Sequence, residues 1–290
     1  MKDSMKTVIL GGAGKTGRRV ADRLTALGWP VQLASRSTPT RFDWNDESSW
    51  EQALDGAHAL YVTYSPDLAI PGAAEHVRRL TGLARDSGLR RIVLLSGRGE
   101  PQVRPAEDAV RSCGVPFTIL ECAFFDQNFD EGWVRPVDGT IAFPGGSTLE
   151  PFIDCDDIAD VAVDALTRAR HEGRTYELTG PRVLGFEEAV ETLARASGRP
   201  LRYAAVSLEE YGDMLAEVMP SDEVTFFVGL FGWLMDGHNA FTTDDVERVL
   251  GRKPRDFVDY ARRAARAFDG DQGVQAAVKG NGLPSAVRVE

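Results

Sequence analysis

The 290-residue sequence is poor in the residues that build metal sites and disulfide frameworks. Its three cysteines, Cys113, Cys122 and Cys155, cannot all pair, and none has the close spacing of a zinc site. The histidines are scattered singly along the chain, at positions 58, 76, 171 and 238. We therefore expect no metal, and a metal-dependent hydrolase would lack its ligands.

The sequence also lacks long hydrophobic runs and clusters of basic residues. No apolar segment approaches the roughly 20 residues that a membrane span needs, and the polar start shows no signal-peptide pattern. The net charge is −11, and no group of Lys and Arg alternates with aromatic residues as in a nucleic-acid surface. We expect a cytoplasmic monomer or homodimer without membrane or nucleic-acid partners.

The N-terminal half alternates short β-branched runs with helical patterns, which is typical of repeated βαβ units. Predicted strands cover residues 7–10, 31–35, 59–63, 91–95 and 116–120, and predicted helices cover 15–27, 73–87 and 105–113. Gly28, Gly88 and Gly114 stand where these helices would end. The pattern predicts an α/β fold, a Rossmann-type doubly wound parallel sheet with a smaller, mainly α C-terminal substrate region.

The pattern changes after residue 145. We expect a Rossmann domain at residues 1–155, a second region packed on it at residues 156–268, and a flexible tail at residues 269–290. The second region has predicted helices at 156–168, 185–197, 208–219, 244–250 and 256–268, and predicted strands at 175–179 and 201–206. Thr243 is a candidate N-cap. The unusually apolar segment 221–235 is interpreted equally well as core or as the wall of a pocket.

The strongest motif follows the first predicted strand. Residues 11–17 read Gly-Gly-Ala-Gly-Lys-Thr-Gly and contain Gly12-x-Gly14-x-x-Gly17, directly before a helix. In such a motif the glycines permit a tight turn, a close approach of the backbone to a diphosphate, and close packing of helix on strand. The helix N-terminus offers free N–H groups to the phosphates. A Walker A loop does not fit, because its first glycine would fall at Ile9.

The second predicted strand indicates which dinucleotide is bound. It ends in Ala34-Ser35-Arg36-Ser37, without the acidic residue that usually holds the ribose 2′-hydroxyl of NAD. Arg36 offers a planar cation for the 2′-phosphate of NADP, and Ser35 and Ser37 offer hydroxyl donors. Arg36 is alternatively a solvated loop residue. The sequence favours NADP(H).

Several segments together resemble the NmrA-like branch of the atypical short-chain dehydrogenases/reductases. They cover residues 11–17, 34–37, 41–44, 92–96, 114–120, 124–129 and 152–159. The segments 34–37 and 41–44 are most similar to the ergot-alkaloid imine reductases of the agroclavine and festuclavine dehydrogenase type. The resemblance extends from about residue 6 to residue 268.

The resemblance implies places for the coenzyme and the substrate. Asp43 would lie beside the adenine, with Trp44 among the coenzyme contacts. Thr63, Tyr64, Ser65 and Ser96 would line the path to the nicotinamide, at the strand ends where ligands bind in such sheets. Coenzyme contacts are thus expected at Gly11, Gly12, Ala13, Gly14, Lys15, Thr16, Gly17, Ser35, Arg36, Ser37, Asp43, Trp44, Thr63, Tyr64, Ser65 and Ser96. The substrate pocket is expected at Phe124, Phe125, Asn128, Phe227 and Phe231.

The acid–base pair of standard short-chain reductases is missing. Their Tyr-x-x-x-Lys motif has no counterpart, because no lysine occurs between Lys15 and Lys253 and no tyrosine has a lysine four residues on. An already electrophilic substrate such as an iminium is therefore favoured, with catalysis resting on positioning. Ser96 and Tyr64 are the candidate catalytic residues. It is equally consistent with the sequence that Ser96 only caps the end of a strand and that Tyr64 only forms part of the pocket wall.

Two functions are consistent with these features. The first is an NADPH-dependent reductase, a ketoreductase or imine reductase of secondary metabolism. It would transfer hydride to a C=O, C=N (iminium) or conjugated C=C bond of a small aromatic or polycyclic metabolite. The second is a non-enzymatic NADP(H) sensor of the NmrA type, which the missing Tyr-x-x-x-Lys pair permits. The full C-terminal region and its apolar segment favour the reductase.

Overall fold

The computed structural model describes residues 5–269, with side chains up to residue 265. Its strands are β1 (Thr7–Leu10), β2 (Val31–Ser35), β3 (Thr40–Arg41), β4 (Ala59–Val62), β5 (Arg91–Gly97), β6 (Phe117–Cys122), β7 (Thr140–Phe143), β8 (Leu149–Glu150), β9 (Arg174–Leu178), β10 (Leu184–Gly185) and β11 (Arg202–Ala205). Its α-helices are α1 (Lys15–Ala26), α2 (Trp50–Leu54), α3 (Ala73–Asp86), α4 (Arg104–Arg111), α5 (Asn128–Glu131), α6 (Cys155–Thr167), α7 (Phe186–Ser197), α8 (Leu208–Ala216), α9 (Ser221–Leu234), α10 (Asp245–Leu250) and α11 (Phe257–Asp269).

Seven strands form one parallel sheet in the order β3-β2-β1-β4-β5-β6-β9. Its central strands are buried on both faces, as the apolar runs predict. In β1, Val8 and Leu10 belong to the core on one face, whereas Ile9 belongs to the core on the other. Helices α1 and α6 cover the face of Ile9, and α2, α3 and α4 cover the opposite face. This arrangement confirms the Rossmann-type doubly wound sheet.

A second set of elements lies beyond the carboxyl ends of these strands. Strand β7 pairs with β11 in parallel, and β8 pairs with β10 antiparallel. A cluster of aromatic rings joins these small sheets to α7, α9 and α11, with ring centroids 5.0–6.1 Å apart between neighbours. It contains Phe124, Phe129, Phe143, Phe152, Phe186, Phe231 and Phe257. The residues after 155 also complete the large sheet, because β9 forms its last strand.

The local signals of the sequence are mostly confirmed. Gly28, Gly88 and Gly114 each follow a helix with φ between 72° and 81°, the left-handed conformation that suits glycine. Asp154 caps α6 by accepting a hydrogen bond from the N–H of Asp156. Thr243 is not an N-cap: its hydroxyl donates to the carbonyl of Glu177 in β9, and Asp244 stands at the cap position of α10 without a side-chain bond.

Two expectations from composition concern absent features. None of the helices within residues 5–269 has both the length and the apolar character needed to cross a membrane. Within the same range, no group of three or more His, Cys, Asp or Glu side chains is placed to hold a metal ion. The predicted tail lies outside the described residues except for Asp269, which ends α11.

Candidate active site

The glycine-rich turn joins β1 to α1 with very little room for side chains. Gly11 has a φ of 66°, so the left-handed conformation lies there and not at Gly12. A Cβ at Gly12 would lie 2.8 Å from Leu33 Cδ2, and a Cβ at Gly17 would lie 2.3 Å from the carbonyl oxygen of Gly11. Gly17 therefore allows α1 to begin in direct contact with the turn, as the motif predicts.

The beginning of α1 faces outward with its backbone donors available. Gly14 stands at the N-cap without a side-chain hydrogen bond, and both Ala13 and Gly14 are exposed. Thr16 is buried at 3% exposure. Uncapped N–H groups at a helix N-terminus bind anions through hydrogen bonds and the helix dipole. The turn thus fits a diphosphate.

Lys15 points to a different part of the site. Its Nζ donates to Asn128 Oδ1 over 2.9 Å, which joins α1 to α5. Burial lowers the pKa of Lys15, although acidic neighbours oppose the shift. Both side chains line the large cavity described below. The sequence grouped Lys15 with the phosphate turn, whereas its ammonium is directed toward Asn128 at the cavity.

The loop after β2 carries Arg36, whose guanidinium is not fully hydrogen-bonded. One terminal nitrogen of Arg36 is buried and has no hydrogen-bond partner among the described residues. Ser35 and Ser37 lie beside it, and the N–H of Ser37 donates to Ser35 Oγ over 3.2 Å. A buried guanidinium N–H without an acceptor is costly, so an anion at this point would satisfy it. This fits NADP(H).

The loop of Asp43 and Trp44, which was expected at the adenine end, packs against the loop of Thr63 and Tyr64, which was expected on the path to the nicotinamide. The ring of Trp44 lies 4.5 Å from that of Tyr64, and its Nε1 donates to the carbonyl of Thr63 over 3.2 Å. Asp43 accepts a hydrogen bond from the N–H of Asn45 and forms part of the same loop. Ser65 is exposed. The structure therefore brings the loops after β3 and β4 together next to the glycine turn.

A cavity of about 220 Å³ opens at the carboxyl ends of β4, β5 and β6. All five residues predicted for the substrate pocket line it, which are Phe124, Phe125, Asn128, Phe227 and Phe231. Helix α9 supplies much of its apolar wall, and Trp133 packs its ring 4.5 Å from that of Phe227. Phe227 and Phe231 also belong to the buried core. The apolar segment 221–235 is therefore both core and pocket wall.

Neither predicted catalytic hydroxyl is free. Ser96 Oγ donates to Glu107 Oε1 over 2.6 Å, and the Tyr64 hydroxyl is hydrogen-bonded to His76 Nδ1 over 2.7 Å. Burial raises the pKa of Tyr64 to about 12. Both residues line the cavity, but as they stand each hydroxyl is bonded to a protein partner.

The cavity contains charged residues that the sequence did not single out. Asp67, Arg98, Glu100 and Glu150 line it, on the loops after β4 and β5 and on β8. Glu100 Oε2, Glu150 Oε1 and one terminal nitrogen of Arg98 are buried and without hydrogen-bond partners among the described residues. The only signal in the sequence was that Asp67 and Glu100 follow strand ends, where ligands bind in such sheets.

Cys122 also lines the cavity, on the last residue of β6. It is 6% exposed, and burial raises the pKa of its thiol well above the usual value. Because the thiolate is the reactive form, this environment disfavours a nucleophile. Cys122 is a packing residue of the core.

Comparisons with known proteins agree with this geometry, although no protein-family model matches the chain. The chain is 31% identical to an uncharacterized oxidoreductase of Bacillus subtilis, YesF, over 88% of this chain and 93% of that protein. It is 28% identical to the agroclavine dehydrogenase of Claviceps fusiformis, over 88% and 96% of the two chains. The structure of NmrA, a negative transcriptional regulator, in complex with NAD matches the fold with a TM-score of 0.68 at 15% identity, over 93% and 98% of the two chains. The chain belongs to the NmrA-like branch of the atypical short-chain dehydrogenase/reductase family, near the agroclavine and festuclavine dehydrogenases.

Proposed function

We propose that this protein is an NADPH-dependent reductase. It transfers hydride to a C=O, C=N or conjugated C=C bond of a small aromatic or polycyclic metabolite, in secondary metabolism. One observation carries the proposal: the open N-terminus of α1 and an aromatic cavity of about 220 Å³ lie at the same edge of the sheet. A dinucleotide bound at the first would extend its nicotinamide toward the second.

Each part of the coenzyme has a place in the described residues. The N–H groups at the start of α1 bind the diphosphate, and Arg36 binds the 2′-phosphate with Ser35 and Ser37. Asp43 and Trp44 hold the adenine end, and Thr63, Tyr64, Ser65 and Ser96 border the nicotinamide. The reduced nicotinamide supplies the hydride. Aromatic side chains around the cavity orient a flat acceptor and exclude water.

The relatives support an oxidoreductase. YesF is named an oxidoreductase and the Claviceps fusiformis protein a dehydrogenase, and this chain covers nearly all of both. NmrA supports the alternative, a regulator that binds a dinucleotide without turning anything over. The aromatic cavity next to the proposed coenzyme site favours the reductase, because a sensor has no need of it.

Arg36→Ala tests the coenzyme assignment. A hydrogen bond to a charged group is worth about 1.5–3 kcal/mol, so the Kd for NADPH should rise by roughly 10- to 100-fold. The Kd for NADH should stay unchanged, because NADH lacks the 2′-phosphate. Arg41→Ala is the matched control, since Arg41 ends the short strand β3 that follows the loop of Arg36, is largely exposed, and meets Asp43 and Asp46 only at 3.6–3.7 Å. Fluorescence titration with NADPH and with NADH measures the Kd of the wild type and of each variant for each coenzyme.

Oxidation of NADPH in the presence of iminium, quinone and ketone compounds tests the reaction itself. We expect a substrate-dependent loss of the reduced nicotinamide absorbance. Tight binding of NADPH without oxidation by any of these acceptors would favour the sensor instead. No measurable affinity for either coenzyme would contradict both the reductase and the sensor.

A further inference from the structure

The reduction of a neutral acceptor needs a proton as well as a hydride. The sequence left the proton donor open, and the hydroxyls of the two candidate catalytic residues are bonded to protein partners: Ser96 donates to Glu107, and Tyr64 is bonded to His76. Glu107 is in turn fixed by Arg111, whose guanidinium donates to Oε2 over 3.0 Å. The proton source must therefore be sought among the other groups of the cavity.

Glu100 has the geometry of such a group. It lies on the loop after β5, and a Cβ at Gly97 would be 1.9 Å from Glu100 Oε1 and 2.4 Å from its carboxyl carbon. The carboxyl thus rests on the backbone of Gly97, in space that only a glycine leaves open. Gly97 ends β5 directly after Ser96, at the strand end where the nicotinamide is expected.

The carboxyl of Glu100 is also unsatisfied. Its Oε2 is buried and finds no hydrogen-bond partner among the described residues, although the group lines the cavity. A buried carboxylate without partners is strongly disfavoured, whereas the neutral acid carries one O–H that a ligand can accept. The orphaned oxygen therefore indicates a partner supplied by the bound substrate.

The charges around Glu100 also favour the protonated form of its carboxyl. Burial, with the negative charges of Asp67 and Glu107, raises the pKa of Glu100 to about 8. The other charged groups of the cavity are Lys15, Arg98 and Glu150. Arg98 donates through its Nε to Glu177 and through one terminal nitrogen to the carbonyl of Asn239, each over 3.0 Å, whereas its other terminal nitrogen has no partner among the described residues. At neutral pH the acid form is available to donate.

We propose that Glu100 is the proton donor of the reduction, which rests on the reductase function proposed above. The reduced coenzyme, when bound, would supply a hydride to the carbon of a C=O bond, or to the β-carbon of a conjugated C=C bond. The electron pair of the broken π bond then moves to the carbonyl oxygen, which gives an alkoxide in the first case and an enolate in the second. The O–H bond of Glu100 breaks, its proton goes to that anion, and the carboxylate regains a proton from water.

This assignment changes the expected substrate class. The missing Tyr-x-x-x-Lys pair favoured an acceptor that needs no proton, such as an iminium. With an acid in the cavity, neutral ketones, enones and quinones become the natural substrates. Their aromatic or polycyclic body would lie against Phe124, Phe227 and Phe231.

Glu100→Gln tests the proposal with two kinds of acceptor. With a neutral ketone or quinone, kcat should fall by about 10²–10⁴-fold, the usual contribution of a general acid. With an iminium compound, which becomes a neutral amine on hydride transfer alone, kcat should stay close to the wild-type value. The wild-type kcat for the neutral acceptor should fall as pH rises through about 8. The kcat of Glu100→Gln should not show this fall, which is called the pH limb below.

Two matched variants sharpen the test. Glu121→Gln removes a carboxyl whose pKa is also raised to about 7 by burial and by Glu107, but which does not line the substrate cavity. It should reduce the neutral acceptor as the wild type does. Glu150→Gln removes the other orphaned carboxyl of the cavity. If that variant loses the neutral acceptor and the pH limb while Glu100→Gln keeps both, Glu100 is not the donor.

A measurement without coenzyme separates this proposal from the reductase function. The infrared spectrum of the wild-type protein at neutral pH should contain a protonated-carboxyl C=O band that Glu100→Gln removes. An unchanged band, or equal loss of activity with neutral and iminium acceptors, overturns the role of Glu100 while the reductase stands. A wild-type protein that binds NADPH and reduces no acceptor overturns both.

Discussion

Single residues in the glycine turn set the distance between α1 and the sheet. Gly17 is constrained by backbone, because a Cβ there would meet the Gly11 carbonyl oxygen at 2.3 Å and its carbon at 3.0 Å. Both contacts are backbone atoms, so no flexible side chain can yield. The helix itself would have to move, and its free N–H groups would move away from the diphosphate position.

Gly17→Ala should therefore impair both stability and coenzyme binding. Overpacking of this kind costs about 1–3 kcal/mol in the free energy of unfolding, and the Kd for NADPH should rise at least tenfold, a loss of about 1.4 kcal/mol. Gly82→Ala is the control: Gly82 lies within α3 and has no atom within 4 Å of an added Cβ. That change should stabilise by about 0.5–1 kcal/mol. Urea unfolding and NADPH titration measure both effects, and equal behaviour of the two variants would contradict the packing argument.

At this scale the sequence predicts backbone requirements better than side-chain surroundings. The spacing of Gly12, Gly14 and Gly17 located the turn, because glycine is needed wherever a backbone approaches closely. Glu100 and Glu150 gave no comparable signal, since glutamates normally lie in solvent. Their burial depends on residues that lie far away in the sequence, as the wall of α9 does for both and Arg98 does for Glu150.

Helix α9 is the element that most clearly shapes the cavity. It buries Phe227, Leu230 and Phe231 and packs against α8 on another side. Because it is apolar on several sides at once, its sequence has no clear helical period, and the segment 221–235 could be interpreted as core or pocket. Strands β7, β8 and β10 were missed for a related reason. They are two to four residues long, and their partners are distant: Thr140 pairs with Arg202.

Truncation of α9 on its cavity side should alter substrate choice. Leu230 is 6% exposed and lines the cavity, so Leu230→Ala should enlarge it and raise kcat/KM for bulky acceptors relative to small ones. The loss of stability should be about 2–5 kcal/mol. Val228→Ala changes the same helix where it faces Gly212 of α8, outside the cavity. It should cost stability without altering the preference. A panel of acceptors of increasing size gives the comparison. An unchanged preference in Leu230→Ala would show that this side of α9 does not limit the size of the substrate.

The whole molecule is held together by ion pairs between distant segments. Arg23 of α1 pairs with Asp156 and Asp160 of α6 at 2.7 and 2.5 Å, and Asp160 also meets Arg252 and Arg255 from the C-terminal segment. Burial acts to raise the pKa of Asp160, but hydrogen bonds from Arg23 and Arg255 hold it below the usual value. Because its pKa is lower in the folded state, the Asp160 carboxylate stabilises the fold above about pH 4. This stabilisation is lost as the pH falls below that value. The sequence could not show these pairs, which join residues up to 137 positions apart, and the predicted division at residue 155 remains a prediction.

The buried carboxyls of the cavity have the opposite effect on stability. Burial raises the pKa of Glu150 to about 7, although Arg98 opposes the shift. Because the folded protein then binds a proton that the unfolded chain releases at about pH 4.3, stability falls as pH rises from there to about 7. The fold should therefore be most stable in mildly acidic solution, between the loss of the ion pairs and the ionisation of these acids.

Glu150→Gln should remove part of this fall. A shift from about 4.3 to about 7 corresponds to roughly 3–4 kcal/mol, so the variant should be more stable than the wild type by about that amount above pH 8, and nearly equal to it at about pH 4. Glu51→Gln, at an exposed position of α2, is the control and should leave the pH dependence of the wild type unchanged. Urea unfolding midpoints across this pH range measure the three curves. If the wild type and Glu150→Gln keep parallel curves, Glu150 is ionised in the folded protein at the same pH as in the unfolded chain, and its burial is satisfied by a partner.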